Sequence, residues 1–404
     1  CHVGGFGPQL TPFGREFKLS GYTLRASPEF TVPLSAVAVA DLVHTQKDQP
    51  PPAPDFGVNN NPAIDQISAF LAGGDGGHFG GFAQFTYEGI NRSFAWDNLD
   101  LRATTHAQVL GADVLAGLSL NNSPAVQDAW NTLPAWGFPY TDSDLVPHPA
   151  AGTVLAGALA QSTLGLTAYG WWDSHLYTEA GAYWTPGRGF LRTLGVDLDE
   201  GAGVLDHAAP YLRAAYVDDF GDSNVELGAF AFLPDLRPPG TSSGTDHYTD
   251  LGIDASYQYF GSGSDTITVN TRYIHEQQDL AASFPAGAAE NRNGFLDDLR
   301  IDLSYYWHNM LGATVSPFVL WGSTDRLLYA ANRTFTPDSN GVTFQADFTP
   351  FANGNSPFGR RFNLRTGLQY TIYGRFNGAG TNFDGAGHNA SDNNTLRLFI
   401  SLAY

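Results

Sequence analysis

The last segment of the chain, Thr395-Leu-Arg-Leu-Phe-Ile-Ser-Leu-Ala-Tyr404, alternates with period two. Leu396, Leu398, Ile400, Leu402 and Tyr404 share one side, while Thr395, Arg397, Ser401 and Ala403 share the other, and Phe399 breaks the pattern. Strict alternation describes a strand with one apolar face. The pattern recurs. Leu364, Leu368, Tyr370 and Ile372 oppose Asn363, Arg365, Gln369 and Thr371. Leu299, Ile301, Leu303, Tyr305 and Trp307 oppose Arg300, Asp302, Ser304, Tyr306 and His308. Leu251, Ile253, Ala255, Tyr257 and Tyr259 oppose Asp250, Asp254, Ser256 and Gln258. Such strands suit either a soluble sandwich, apolar inside, or a membrane barrel, apolar towards lipid and polar towards its lumen. Segments of about 9–11 residues match a tilted strand crossing a bilayer. Aromatic residues at strand ends, such as Trp307, Trp321 and Tyr404, match interfacial girdles and favour the barrel.

The pattern predicts about sixteen strands, near 30–43, 78–90, 94–105, 108–120, 151–160, 163–171, 175–184, 208–218, 223–233, 248–260, 265–276, 295–307, 311–321, 342–351, 361–374 and 394–404. In the second half of the chain, long and short connections alternate. Long outer loops and short periplasmic turns do the same in transmembrane barrels, which puts both termini in the periplasm. The expected fold is therefore all-β: a transmembrane antiparallel barrel over 30–404, preceded by a short N-terminal segment, 1–29. Two stretches fit poorly. Residues 61–72 read as a short helix in the first outer loop, with Ile64, Ile67, Phe70 and Leu71 on one face and Pro62 near its start. Residues 121–150 form a long connection where strand parity asks for a short turn. A transmembrane helix within the charge-free stretch 145–172 is weighed and disfavoured by Pro147, Pro149 and repeated Gly, Thr and Ser.

Composition sharpens this reading. The chain has 46 glycines, 13% aromatic residues, 15% charged residues and a net charge of -20. Its lysines are Lys18 and Lys47. The acidic balance argues against a nucleic-acid partner. P-loop, zinc-protease and nucleophile-elbow patterns do not occur, and Asp218-Asp219-Phe-Gly-Asp222 lacks calcium-loop spacing. The lone cysteine, Cys1, allows no intrachain disulfide. The abrupt start at Cys1-His2 is that expected of a mature or truncated product.

The first thirty or so residues hold Gly, Pro and aromatics, too little for a core of their own, so they need a staple or a surrounding body. Cys1-His2 is the last dipeptide of Cys-x-x-Cys-His, in which sulfur binds a haem vinyl group and the adjacent His ligates iron. An acylated lipoprotein cysteine and a bare thiol are the rival readings of Cys1. The run Gly5-Phe-Gly-Pro-Gln-Leu-Thr-Pro-Phe-Gly-Arg-Glu-Phe-Lys18, on to Tyr22, resembles the stretch after the haem motif in fused monohaem cytochrome–porins of the bacterial outer membrane, the group that includes iron oxidases of extracellular electron transfer. The resemblance covers the whole layout, and its specific part is local. It implies one haem c on Cys1, with His2 as proximal ligand. It also implies electron exchange between a periplasmic c-type cytochrome or other carrier and an extracellular donor or acceptor, with Fe(II) oxidation as one such activity. The motif's first Cys is absent here, which leaves open attachment by one bond, by two or not at all.

His148 and then Met310 are the candidate sixth ligands, both expected at the periplasmic end. Arg300, Arg365, Arg397 and Asp302 are the expected lumen groups that anchor an inserted segment, since Arg–carboxylate pairs hold position well. The alternative function is a haem-free diffusion porin or substrate-selective channel.

Overall fold

In the computed structural model, which describes residues 1–24, 34–196, 198, 203–239, 244–261, 264–359 and 361–404, the alternating segments pair edge to edge into one ring. Its sixteen strands are β1 (Leu34–Thr45), β2 (Asn61–Gly74), β3 (Phe79–Glu88), β4 (Ser93–Val109), β5 (Ala112–Asn121), β6 (Leu164–Trp172), β7 (Leu176–Trp184), β8 (Ala209–Phe220), β9 (Ser223–Phe232), β10 (Asp246–Phe260), β11 (Thr266–Asp279), β12 (Asn293–Trp307), β13 (Leu311–Gly322), β14 (Ser339–Phe348), β15 (Asn363–Arg375) and β16 (Thr395–Ala403). Each pairs antiparallel with its sequence neighbours, and β16 closes on β1 from Val37↔Ala403 to Thr45↔Thr395. Two short pieces, Val204–Leu205 and Asp235–Arg237, pair with each other beyond the ring.

The apolar face of each strand points outward. Leu368, Leu398, Ile400 and Leu402 are each more than 40% exposed, while Arg397 and Ser401 on the opposite face are 1% and 3% exposed. That is the reverse of a soluble sandwich, and it is what a lipid-facing wall requires. Phe399 is the inward exception. Its ring lies against Gly367, where an added Cβ would fall 2.1 Å from the ring, and Arg397 and Arg365 sit over it at 5.0 and 5.5 Å. Among the described residues no helix is long and apolar enough to cross a membrane, so the helix weighed within 145–172 does not form.

Two sequence expectations change. Residues 61–72 are strand, within β2. The helical spacing of Ile64 and Ile67 comes from a β-bulge: pairing with β1 slips between Val39 and Ala40, so Gln66 faces Val39 while Ile64 faces Ala40. The extra residue, Asp65, turns inward, and both isoleucines stay outward. Residues 151–160 are not strand. They form a turn within the connection 122–163, where Val154, Leu155 and Leu159 pack against inward-facing Tyr183, Tyr211, Phe230, Phe232 and Ile274. An apolar run thus satisfies an apolar patch of lumen wall rather than lipid.

With both changes the parity of the barrel is regular. The rim that carries the two ends of the ring has the short turns 75–78, 110–111, 173–175, 221–222, 261–265 and 308–310, besides 349–362. The opposite rim has 46–60, 89–92, 122–163, 185–208, 233–245, 280–292, 323–338 and 376–394. The boundary expected between residues 29 and 30 lies outside the described residues.

The loop rim is braced by polar knots. The Asp325 carboxylate accepts N–H bonds from Glu290, Asn291, Leu327 and Leu328 at 2.8–3.0 Å, tying 280–292 to 323–338. Burial pushes this carboxyl up, and the four amides outweigh that push and hold it below the ordinary aspartate value. A lowered folded-state value stabilises above the ordinary pKa and is lost as pH falls through it. Amide exchange at Glu290–Arg292 is therefore expected to accelerate on acidification below the usual carboxylate range, and to be fast at neutral pH in Asp325→Ala. On the outer wall, Leu368→Arg is expected to cost about 2–4 kcal/mol of unfolding free energy in lipid vesicles, as for a cation facing the bilayer midplane. Leu368→Val is expected to be nearly neutral.

Candidate functional site

The lumen is filled by two insertions that meet inside it. The first is residues 1–24, which enter at the rim of short turns. Helix α1 (Pro12–Leu19) starts where Thr11 Oγ1 accepts the Gly14 N–H at 3.3 Å, with Pro12 in its first turn. Glycines let this segment lie flush: a Cβ on Gly14 would fall 2.3 Å from the Cys1 carbonyl oxygen, and one on Gly4 would fall 2.5 Å from the Tyr306 ring. Wall residues from around the ring grip it. Asn363 donates to Gly5 O, Gln258 to Leu10 O and Tyr169 to Leu19 O, at 2.9, 2.9 and 2.6 Å. Tyr22 donates to Asp100 at 2.7 Å, and Arg15 donates to Asn224.

The second insertion is the connection 122–163, which folds in from the loop rim. Residues from Ala125 to Leu133 are all buried. The Asp128 carboxylate accepts the N–H groups of Trp130, Thr132 and Leu133 at 2.9–3.0 Å, which closes a tight internal turn. Arg213 faces Asp128, Glu226 and Asp254 at 3.3, 3.2 and 2.7 Å. Higher up, Val154 N–H donates to Glu276 and Leu155 N–H to Asp250. The two insertions join through Lys18 Nζ, which donates to the Val126 and Asp128 carbonyls at 2.6 and 2.8 Å, and through Leu10 N–H, which donates to Asn131 Oδ1 at 3.2 Å.

The expected lumen groups divide. Arg397 binds Asp41 through two bonds of 3.0 and 3.1 Å, and it also donates to Gln369 Oε1 at 2.9 Å and to Thr141 Oγ1 of the second insertion at 3.1 Å. Arg365 pairs with Asp347 at 3.1 Å and lies 6.0 Å from the Phe6 ring of the first insertion. Each of these two thus touches an insertion. Arg300 instead bonds Asp298 on its own strand at 3.0 Å and lies over Phe318, and Asp302 accepts Ser304 and Ser316 hydroxyls of the wall. These bonds of Arg300 and Asp302 run to the wall rather than to an insertion.

Cys1 and His2 stand at the mouth where the first insertion enters. The His2 backbone bridges to Leu10, and Thr11 donates its N–H to Cys1 O at 2.9 Å. The Cys1 thiol is free and exposed. Both side chains line a cleft of ≈ 530 Å³ whose other walls include Phe260, Asp265, Thr266, Asn309 and Ala352. That volume falls within the ordinary range for small-molecule and cofactor sites. Cys1, with its free thiol, and the neighbouring His2 on one cleft of this size are the residues that would hold a covalently bound haem. The turn 308–310 borders this cleft through Asn309, so Met310 and His308 lie at the same mouth.

His148 does not. The displaced strand count moves it to the second insertion, beside Ser143 and Asp142, and it lines a separate cavity of ≈ 530 Å³ with Arg300, Gln369 and Arg397. Among the described residues no group of three His, Cys, Asp or Glu is placed to hold a metal ion. The groups that sequence reasoning missed are Lys18, Arg102, Asp128, Trp130 and Arg213. Lys18 carried a readable signal, being one of a single pair of lysines in the chain.

No family model matches the chain, and no curated protein matches it. Solved structures do. The outer-membrane channel DcaP of Acinetobacter baumannii is 11% identical, covering 94% of this chain and 99% of that one, with a TM-score of 0.50. An anion-selective porin from Comamonas acidovorans is 10% identical (93% and 99% covered, TM-score 0.49). Salmonella typhi OmpF in complex with daunomycin is 12% identical (92% and 97% covered, TM-score 0.48). With the ring of strands and its outward apolar wall, the likeness to DcaP defines the class: a closed sixteen-stranded antiparallel barrel with the fold of an outer-membrane channel.

Removing one partner of a buried ion pair strands the other. Arg397→Ala is expected to cost about 3–5 kcal/mol, measured by denaturant unfolding in lipid vesicles. The double variant Arg397→Ala/Asp41→Ala is expected to recover part of that loss, because it leaves no unpaired carboxylate.

Proposed function

We propose that this protein is an outer-membrane electron-transfer protein: its barrel is an insulating sleeve, and its N-terminal segment presents a c-type haem at the periplasmic mouth. The observation that carries this reading is the pairing of a filled lumen with Cys1 and His2, which open together on one cofactor-sized cleft at its entrance. When bound, haem supplies one-electron chemistry. The chain's own residues do the rest. The Cys1 thiol would anchor the group and the His2 imidazole would hold its iron. Met310 or His308, on the bordering turn, would supply a further ligand, and a methionine in that role would raise the reduction potential relative to histidine. Lys18 and Asp128 lock the two insertions so that solutes do not bypass the site.

Both termini then face the periplasm, where a c-type cytochrome or another carrier exchanges electrons. An extracellular donor or acceptor, Fe(II) among them, works on the other side. Barrels have an apolar band roughly 25 Å tall, so a group at one mouth needs a partner that reaches towards it. One specific observation favours the haem-free channel: the cavity lined by Arg300, Gln369 and Arg397 leaves space beside the second insertion.

The full chain, purified from its outer membrane, separates the two readings. A c-type Soret band and haem staining after denaturing electrophoresis, both lost in Cys1→Ser, are the expected result. Colourless protein that opens ion conductance in planar bilayers would establish the channel instead.

A further inference from the structure

The cavity shared by Arg300, Gln369 and Arg397 lies between the barrel wall and the second insertion. The insertion is fastened across it at several points. Gln369 donates to the Thr141 carbonyl at 2.9 Å, Tyr373 donates to the Pro147 carbonyl, and the Ala150 N–H donates to Asn377 at 2.9 Å. Fastening of this kind fixes the shape of the space before any solute arrives. Its mouth is at the loop rim, where the lining residues Asp142, His148, Ala150 and Gly152 are exposed. Its volume of ≈ 530 Å³ lies within the ordinary range of small-molecule sites.

Two arginines line this space, and they differ. Arg397 spends its donors on Asp41, Gln369 and Thr141. Arg300 uses only Nε, which donates to both Asp298 oxygens at 3.0 and 3.2 Å. Among the described residues, no protein group accepts from its Nη1 or Nη2, and its side chain is 30% exposed. The guanidinium is nevertheless held in place. Asp298 fixes its Nε edge, and Phe318, directly opposite in the ladder to β13, has its ring 5.6 Å away. What remains is the end of the guanidinium, two N–H groups side by side. That fork matches the two oxygens of a carboxylate through parallel bonds. Phe138, Pro139, Val146 and Phe318 add apolar wall to the same space.

We propose that this cavity binds a small organic monocarboxylate, with its carboxylate on the end fork of Arg300 and its apolar or aromatic body against Phe138, Pro139 and Phe318. One fork accommodates one carboxylate. A phosphate group presents three oxygens and more charge than a single guanidinium offsets. A dianion would carry a second charge with no free guanidinium left for it, and the mouth already holds the Asp142 carboxylate. Binding would need little rearrangement, because Asp298 and Phe318 already hold the guanidinium. The site uses neither Cys1 nor His2, so it stands whether or not haem is bound.

The test is equilibrium dialysis of radiolabelled benzoate against the full chain in detergent micelles, with benzamide as the neutral analogue and inorganic phosphate as competitor. It runs equally on protein with or without haem, so its failure is distinct from failure of the electron-transfer reading. Benzoate is expected to bind saturably, and excess phosphate is expected not to displace it. Benzamide is expected to bind at least roughly tenfold more weakly, the loss that forfeiting charge-assisted hydrogen bonds brings. Arg300→Gln is expected to weaken benzoate binding by a similar factor. Arg300→Lys, which keeps the charge and loses the fork, is expected to weaken it several-fold. Arg292→Gln, an exposed arginine of the loop 280–292, is expected to leave binding unchanged. Absence of saturable benzoate binding, equal binding of benzoate and benzamide, or wild-type affinity in Arg300→Gln overturns the proposal. Displacement by phosphate overturns the carboxylate assignment in favour of a general anion site. If Arg300→Gln does not assemble, Arg300→Lys and the contrast between benzoate and benzamide decide, and wild-type affinity in Arg300→Lys then overturns it.

Discussion

A backbone amide at bilayer depth has no water to turn to, so each one must find its partner within the protein. Every other feature of this molecule depends on that constraint. A sheet with free edges would leave two rows of donors and acceptors in lipid. The register of β16 on β1 removes those edges, from Val37↔Ala403 to Thr45↔Thr395. Closure then fixes sidedness. With period-two geometry, a strand in the ring sends alternate side chains to lipid and lumen, so Leu368 and Arg365 cannot exchange faces without a bulge. The bulge at Asp65 turns one carboxylate inward beside the Arg397 network rather than exposing it to lipid.

Closure also creates an interior that must be filled or flooded. Here it is filled, and the filling is asymmetric. Towards β5–β11 the lumen is packed with aromatic and aliphatic groups, Trp130 against Trp171 and Tyr177, and Leu155 against Tyr211 and Phe232. Towards β12–β16 it keeps polar space around Arg300 and Gln369. An apolar core inside a barrel is a reason to regard the insertions as permanent parts of the fold, because withdrawing either would expose that core to water. The ion pairs add position rather than bulk stability: Arg213 among three carboxylates, and Arg397 between Asp41 and Thr141, accept only one arrangement of donors.

The wall was largely legible in the sequence, because period two is a local property and lipid imposes it strand by strand. The alternation at 363–373 and 395–404 carried over directly. The expected total of about sixteen strands also matched, although one missed strand and one false strand cancelled within it. Both errors have physical causes. A bulge inserts an extra residue, so apolar positions at Ile64 and Ile67 imitate a helix. An inward apolar patch recruits Val154 and Leu155, so an insertion imitates a wall strand. The candidate site could be read from the sequence only at its N-terminal end. Cys1-His2 is read from two adjacent letters, whereas the grip of Lys18 on Val126 and Asp128 joins residues more than a hundred positions apart, and no periodicity announces it.

The charge pattern joins these observations. A net charge of -20 with two lysines leaves few cations to place. Several are spent indoors: Arg15, Lys18, Arg102, Arg213, Arg272, Arg365 and Arg397 are all buried in or around the lumen. Buried cations are costly unless paired, so their concentration there shows where the fold needs fixed geometry. They ring the two insertions, and the groups they hold in place include the segment that begins with Cys1 and His2. The wall locks that segment from several sides at once, from β4, β6, β9, β10 and β15, and the electron-transfer reading proposed above rests on that immobility.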